Sequence, residues 1–203
     1  MKTLVLITLL AACSRTPSVD TAHATQTAPA SAEPSAERVS PPAVTRAAPD
    51  EPSLYGIDVA LHDASGKSTR LDVARGHRTL ISMFYGSCSV ACPALLGELK
   101  QVIAQSPPDT RVVLVSFDPA RDTPERLREL ATTYRLDDRW TLASASDQDA
   151  RALAAVLGIK YRRTASGEFF HTSVIVGVDE DGRPVARMSG LGDPAPLAMA
   201  MAR

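Results

Sequence analysis

Residues 79–84 (TLISMF) and 111–117 (RVVLVSF) run almost continuously apolar, the pattern of strands covered on both faces of a sheet. Between them Leu95, Leu96, Leu99, Val102 and Ile103 recur at helical spacing and stop at Ser106-Pro107-Pro108. The order strand, helix, strand is that of a βαβ unit. Thr123-Pro124-Glu125 then supplies a capping hydroxyl, a proline for the first helical position and an acid for the first turn, which predicts a helix reaching Tyr134. Residues 140–143 read as a short strand. Residues 146–157, with Asp149 three after Ser146 and Gly158 behind, read as another capped helix. Residues 169–178 are rich in β-branched side chains, 179–182 form a turn, and 184–188 pair back as a hairpin before a closing helix over 195–202. Upstream, alternation over 57–61 and 69–73 about Asp63-Ala64-Ser65-Gly66 predicts a β-hairpin at the domain's edge.

Before residue 54 this patterning stops. The opening MKTLVLITLLAAC has Lys2, an apolar stretch and small residues before Cys13, the make-up of a secretory signal and too short for a stable membrane span. Leu10-Ala11-Ala12-Cys13 resembles the bacterial lipobox, which implies removal of residues 1–12 and a lipid anchor on Cys13. Residues 14–53 are dominated by Ala, Pro, Ser and Thr and hold no aromatic side chain, so they bury too little to offset ordering and read as a disordered tether. Residues 54–203 are then one domain of ordinary size. A net charge of -1 and no Lys/Arg run longer than Arg162-Arg163 argue against nucleic acid as a partner.

With Cys13 assigned to the anchor, Cys88 and Cys92 remain, in a compartment that permits disulfides. Pro93 is tolerated at the start of a helix and costly inside one, which places Cys92 at the cap and Cys88 in the preceding loop. A helix amino end favours thiolate, so both sulfurs are expected to be reactive and near the surface. A dithiol after the first buried strand, within this order of elements, resembles the thioredoxin-like arrangement. That implies an α/β fold with a central mixed β-sheet flanked by helices and an N-terminal β-hairpin extension.

Three readings of the pair compete. A structural disulfide would close a small ring and constrain little of the unfolded chain. A thioredoxin-type redox pair has two intervening residues and a proline facing it; here Ser89-Val90-Ala91 makes three, and the segment Glu168-Phe169-Phe170-His171-Thr172-Ser173 has a histidine and no proline. The third reading is a metal site: two thiolates with one imidazole suit Cu(I) and can also bind Cu(II). Zinc would want a fourth ligand, and His23, His62 and His77 fall in the tether or about the edge hairpin. Neither cysteine has the threonine and proline spacing of a peroxiredoxin.

Cys88-Ser89-Val90-Ala91-Cys92-Pro93, Ser116-Phe117-Asp118-Pro119-Ala120-Arg121-Asp122-Thr123-Pro124 and His171-Thr172-Ser173 together resemble the motifs of the SCO/SenC family, across roughly residues 54–200. These are copper-binding, thioredoxin-like proteins that help assemble the binuclear copper centre of cytochrome c oxidase. The resemblance implies copper ligation by Cys88, Cys92 and His171. It also implies a copper-accepting membrane protein such as a cytochrome c oxidase subunit, an upstream copper donor, and a place in the bacterial cell envelope outside the cytoplasm. Asp118, Arg121 and Asp122 match the second motif; their own chemistry reads as a helix amino-terminal junction with local charge pairing, and support of the site is a further expectation. The chain departs from the family pattern at Ser89, where a proline is usual, at Val90 and Ala91, where an acid often stands, and in a shorter 160–170 segment carrying Lys160, Arg162 and Arg163. The function expected is that of a membrane-anchored copper chaperone. A thiol-disulfide oxidoreductase that keeps acceptor cysteines reduced is the alternative, and a copper or redox sensor the third.

Overall fold

Strand β1 (Ala43–Arg46) opens the folded part of the chain, followed by β2 (Leu61–Asp63), β3 (Ser68–Thr69), β4 (Thr79–Phe84), α1 (Ala91–Gln105), β5 (Arg111–Ser116), α2 (Pro124–Thr133) and β6 (Trp140–Ala145). Helix α3 (Asp147–Leu157), β7 (Tyr161–Arg163), β8 (Phe169–His171), β9 (Val174–Val178), β10 (Pro184–Ser189) and α4 (Ala195–Met201) complete it. This is a computed structural model, and it describes residues 42–88 and 91–203. The signal segment, Cys13 and most of the expected tether lie outside the described residues, as do Ser89 and Val90.

An eight-stranded mixed sheet in the order β1-β10-β9-β4-β5-β6-β2-β3 forms the centre. The apolar runs account for its middle: β4 and β5 are parallel neighbours, β5 and β6 likewise, and every side chain of β4 is buried. Helix α1 lays Leu95, Leu99 and Val102 into the core and packs on α4, while α2 and α3 pack on β6. Each fully buried leucine of this kind contributes about 1.5–3 kcal/mol. The helix ends follow their signals: Thr123 accepts from the Arg126 amide, Ser146 from the Asp149 amide, and Gly158 closes α3 at φ 75°. Among the described residues no helix is long and apolar enough to cross a membrane.

Three expectations change. The tether does not extend to residue 53, because β1 pairs antiparallel with β10 from Ala43↔Ser189 to Arg46↔Ala186, and Glu51 forms an ion pair with Arg187. That strand is held by main-chain hydrogen bonds rather than by an apolar face, so its composition disguises it. The edge hairpin is present but shorter, as β2 and β3; residues 71–73, expected as strand, fall in the 3-10 turn Leu71–Ala74, and residues 57–60 lie before β2. Residues 169–178 divide in two: β8 leaves the main sheet to form a separate hairpin with β7, and only β9 joins β4 and β10.

Candidate metal centre

The site lies beyond the carboxyl ends of β4 and β5, where open α/β sheets form ligand crevices. After β4 the chain continues through Tyr85, Gly86 and Ser87 to Cys88, and Cys92 is the second residue of α1. His171 comes from the far side as the last residue of β8, paired with Tyr161 of β7. It does not begin strand β9, as the sequence suggests; Thr172 and Ser173 intervene, with the Thr172 amide donating to the Lys160 carbonyl at 2.9 Å. One ligand atom from each of Cys88, Cys92 and His171 lies within 4.8 Å of the others. Donors about 2.0–2.3 Å from a shared metal in a trigonal set stand roughly 3.5–4 Å apart, so the three need an inward shift of only about 1 Å.

The two sulfurs differ. Cys88 is half-buried, and the Cys92 amide, at the amino end of α1, donates to its sulfur at 3.4 Å. Cys92 is 4% exposed, and its thiol donates to the Tyr85 carbonyl at 3.1 Å. Burial pushes the Cys92 thiol up to about 12, with the nearby Cys88 adding to the rise. The expectation of two activated surface thiols therefore fails at Cys92: desolvation outweighs the helix end. The cysteines are not disulfide-bonded.

Burial holds His171 below its ordinary range, so its imidazole is neutral near pH 7. Nδ1 lies 3.3 Å from the Thr172 carbonyl oxygen, and a proton held there leaves the Nε2 lone pair for a metal. The ring sits edge-on to Tyr85 at 5.7 Å and to Phe117 at 5.3 Å. Phe117 in turn stacks on Tyr161 at 4.7 Å and meets Phe169 at 5.0 Å, so one aromatic cluster fixes both strands of the histidine hairpin.

Two buried carboxylates connect the second motif to the site. Asp122 accepts from the Gly86 amide at 2.8 Å and from the Ser116 hydroxyl, tying the start of α2 to the loop that leads to Cys88. Asp118, wholly buried, accepts from Arg121 and, at 3.1 Å, from Arg163 of β7. Arg121 also donates to the Gly167 carbonyl at 3.0 Å and to Glu168, and Arg163 lies over the Phe169 ring at 4.5 Å. Local charge pairing is present at Asp118 and Arg121, yet both carboxylates also reach beyond their own helix end. Tyr85, Gly86, Glu168 and Phe169 carry no site signal in the sequence, where they flank the first and third motifs, and Phe117 stands inside the second motif without any mark of its place beside His171.

Residues 47–203 match the SCO1/SenC family. The chain belongs to that family. Among SCO1/SenC relatives, an SCO2-like protein of Rickettsia prowazekii is 26% identical over 132 residues, 61% of this chain and 63% of that protein, so less than two thirds of the relative is spanned. Arabidopsis thaliana ScoI with copper bound is similar in structure at TM-score 0.64, 20% identity, 71% of this chain and 94% of the other. Bradyrhizobium japonicum ScoI with copper bound has TM-score 0.56 and 25% identity, covering 70% and 94%. The thioredoxin-like fold expected from the order of elements is that of these SCO1/SenC structures.

Proposed function

We propose that this SCO1/SenC protein binds one Cu(I) through Cys88, Cys92 and His171 and hands it to a copper-accepting protein of the cell envelope, a cytochrome c oxidase subunit being the leading candidate. The observation that carries the reading is the convergence of the three side chains from separate parts of the fold. Two sulfurs and an imidazole are a soft, low-coordinate set that favours Cu(I) over harder ions. Copper is the cargo, and the chain's own residues govern its entry and release. Cys92 gives up its proton and its bond to the Tyr85 carbonyl on loading, while the aromatic walls keep the His171 ring oriented. Cys88 and His171 are half-buried, so an incoming acceptor thiolate has access from their side and can displace them in turn.

The lipobox-like Leu10-Ala11-Ala12-Cys13 supports attachment to a membrane through Cys13. The rival oxidoreductase reading needs an attacking thiolate, and among the described residues only Cys88 has the exposure for it.

Anaerobic Cu(I) competition against a chelator tests the proposal, using the reduced full chain with Cys13→Ser so that two thiols remain. Binding of one copper, weakened by orders of magnitude in His171→Ala, is the expected result. Equal binding by both proteins would sink it, and disulfide exchange that survives loss of His171 would then favour the oxidoreductase.

A further inference from the structure

Beside the metal centre runs a groove of about 480 Å³ between α3 and the β7–β8 hairpin. Phe117, Tyr161 and Phe169, three members of the aromatic cluster around His171, contribute to its lining. Its charged lining is Arg151, Lys160, Arg162 and Arg163 against the single acid Asp147, on a chain whose net charge is only -1. Arg163 is engaged by Asp118, whereas Arg151 and Arg162 form no ion pair among the described residues. Arg162 lies over the ring of Phe170 at 5.4 Å, the two sharing the face of the β7–β8 hairpin opposite Tyr161 and Phe169, and Phe170 is 53% exposed.

The geometry points to a docking groove for an acidic segment of the copper acceptor, with carboxylates meeting Arg151 within it and Arg162 at its rim and an apolar side chain resting on the aromatic floor. This rests on the copper-transfer reading and names the chemistry of its partner. Cations aligned with an aromatic surface recognise carboxylates by charge and steer encounter. Arginine, with its planar fork, suits carboxylates better than a point charge does. The floor is shared with the wall of the metal centre, so a segment lying in the groove is held one layer of rings away from His171. Anionic lipid could neutralise the same cations, but a concave floor of rings calls for inserted side chains, and a bilayer there would cover the site from which the metal must leave.

The test uses the metal-free, reduced full chain with Cys13→Ser and a fluorescein-labelled octapeptide alternating glutamate and phenylalanine, followed by polarisation. A second peptide replaces glutamate with lysine, and phosphatidylglycerol vesicles serve as the lipid probe. The glutamate peptide is expected to bind, the lysine peptide not, and added salt to weaken the complex. Arg151→Glu with Arg162→Glu should weaken it by about tenfold or more and leave Cu(I) affinity unchanged. No binding, equal binding of the two peptides, or equal binding by the double variant overturns the proposal. So does vesicle binding that depends on these arginines while the peptide fails to bind. Because the assay is run without metal, failure of the copper site leaves its result standing, and failure of the groove leaves the Cu(I) competition intact.

Discussion

The carboxylate of Asp122 holds the amide of Gly86 at 2.8 Å, across 36 positions of sequence. Asp122→Ala leaves that amide and the Ser116 hydroxyl without their shared acceptor, at about 1–3 kcal/mol for each buried donor. Denaturant unfolding should show the loss, and Cu(I) affinity should fall with it as the loop before Cys88 loosens. Unchanged copper affinity in a destabilised Asp122→Ala chain would confine Asp122 to the scaffold.

The same carboxylate makes a pH prediction. Burial raises the Asp122 pKa above 3.8, so folding favours its protonated form. Stability from this group is complete below 3.8 and is lost as pH rises through the raised folded value. Stability curves for wild type and Asp122→Asn should therefore diverge from about pH 4 upward, with the wild type declining relative to the variant.

Gly86 has no room for a side chain, since an added Cβ would meet the Asp122 carboxylate and stand 2.6 Å from Leu130 Cδ1. Gly86→Ala should cost about 1–3 kcal/mol by overpacking. Calorimetric melting measures this directly, and an unshifted melting temperature would contradict it.

Asp118 braces the other half of the site. In Asp118→Asn the links to Arg121 and Arg163 weaken by about 1–2 kcal/mol in total, a figure reduced because both guanidiniums are partly exposed. Hydrogen exchange should quicken across the β7–β8 hairpin and leave β4 and β5 protected. Uniform change over the whole chain would contradict a local brace.

Cu(I) loading must displace the proton of Cys92, whose thiol stands near 12, whereas neutral His171 offers little competition near pH 7. Apparent affinity should then rise about tenfold per pH unit for each proton released. Affinity independent of pH between about 6 and 8 would show that Cys92 is not a ligand.

Much of this is legible in the sequence. The runs that became β4 and β5, and the caps at Thr123 and Ser146, act through local apolar burial and local hydrogen bonds, which a sequence records directly. Strand β1 escaped because its partner is the backbone of β10, and a main-chain ladder leaves little imprint on side-chain type. The β7–β8 hairpin was hidden because Phe169 to His171 abuts β9; Ser166-Gly167, with Gly167 at φ 85°, was the turn signal available to reveal it. Proximity of Cys88, Cys92 and His171 followed from motifs, but the burial of Cys92 did not. Whether a helix end or desolvation governs a thiol depends on what packs over it.

X-ray absorption at the copper edge of the Cu(I)-loaded Cys13→Ser chain tests the central claim most directly. The account predicts two sulfur scatterers at about 2.3 Å and one imidazole nitrogen at about 2.0 Å, the nitrogen vanishing in His171→Ala. A sulfur-only shell in the wild type, or a spectrum unchanged by the substitution, would contradict it.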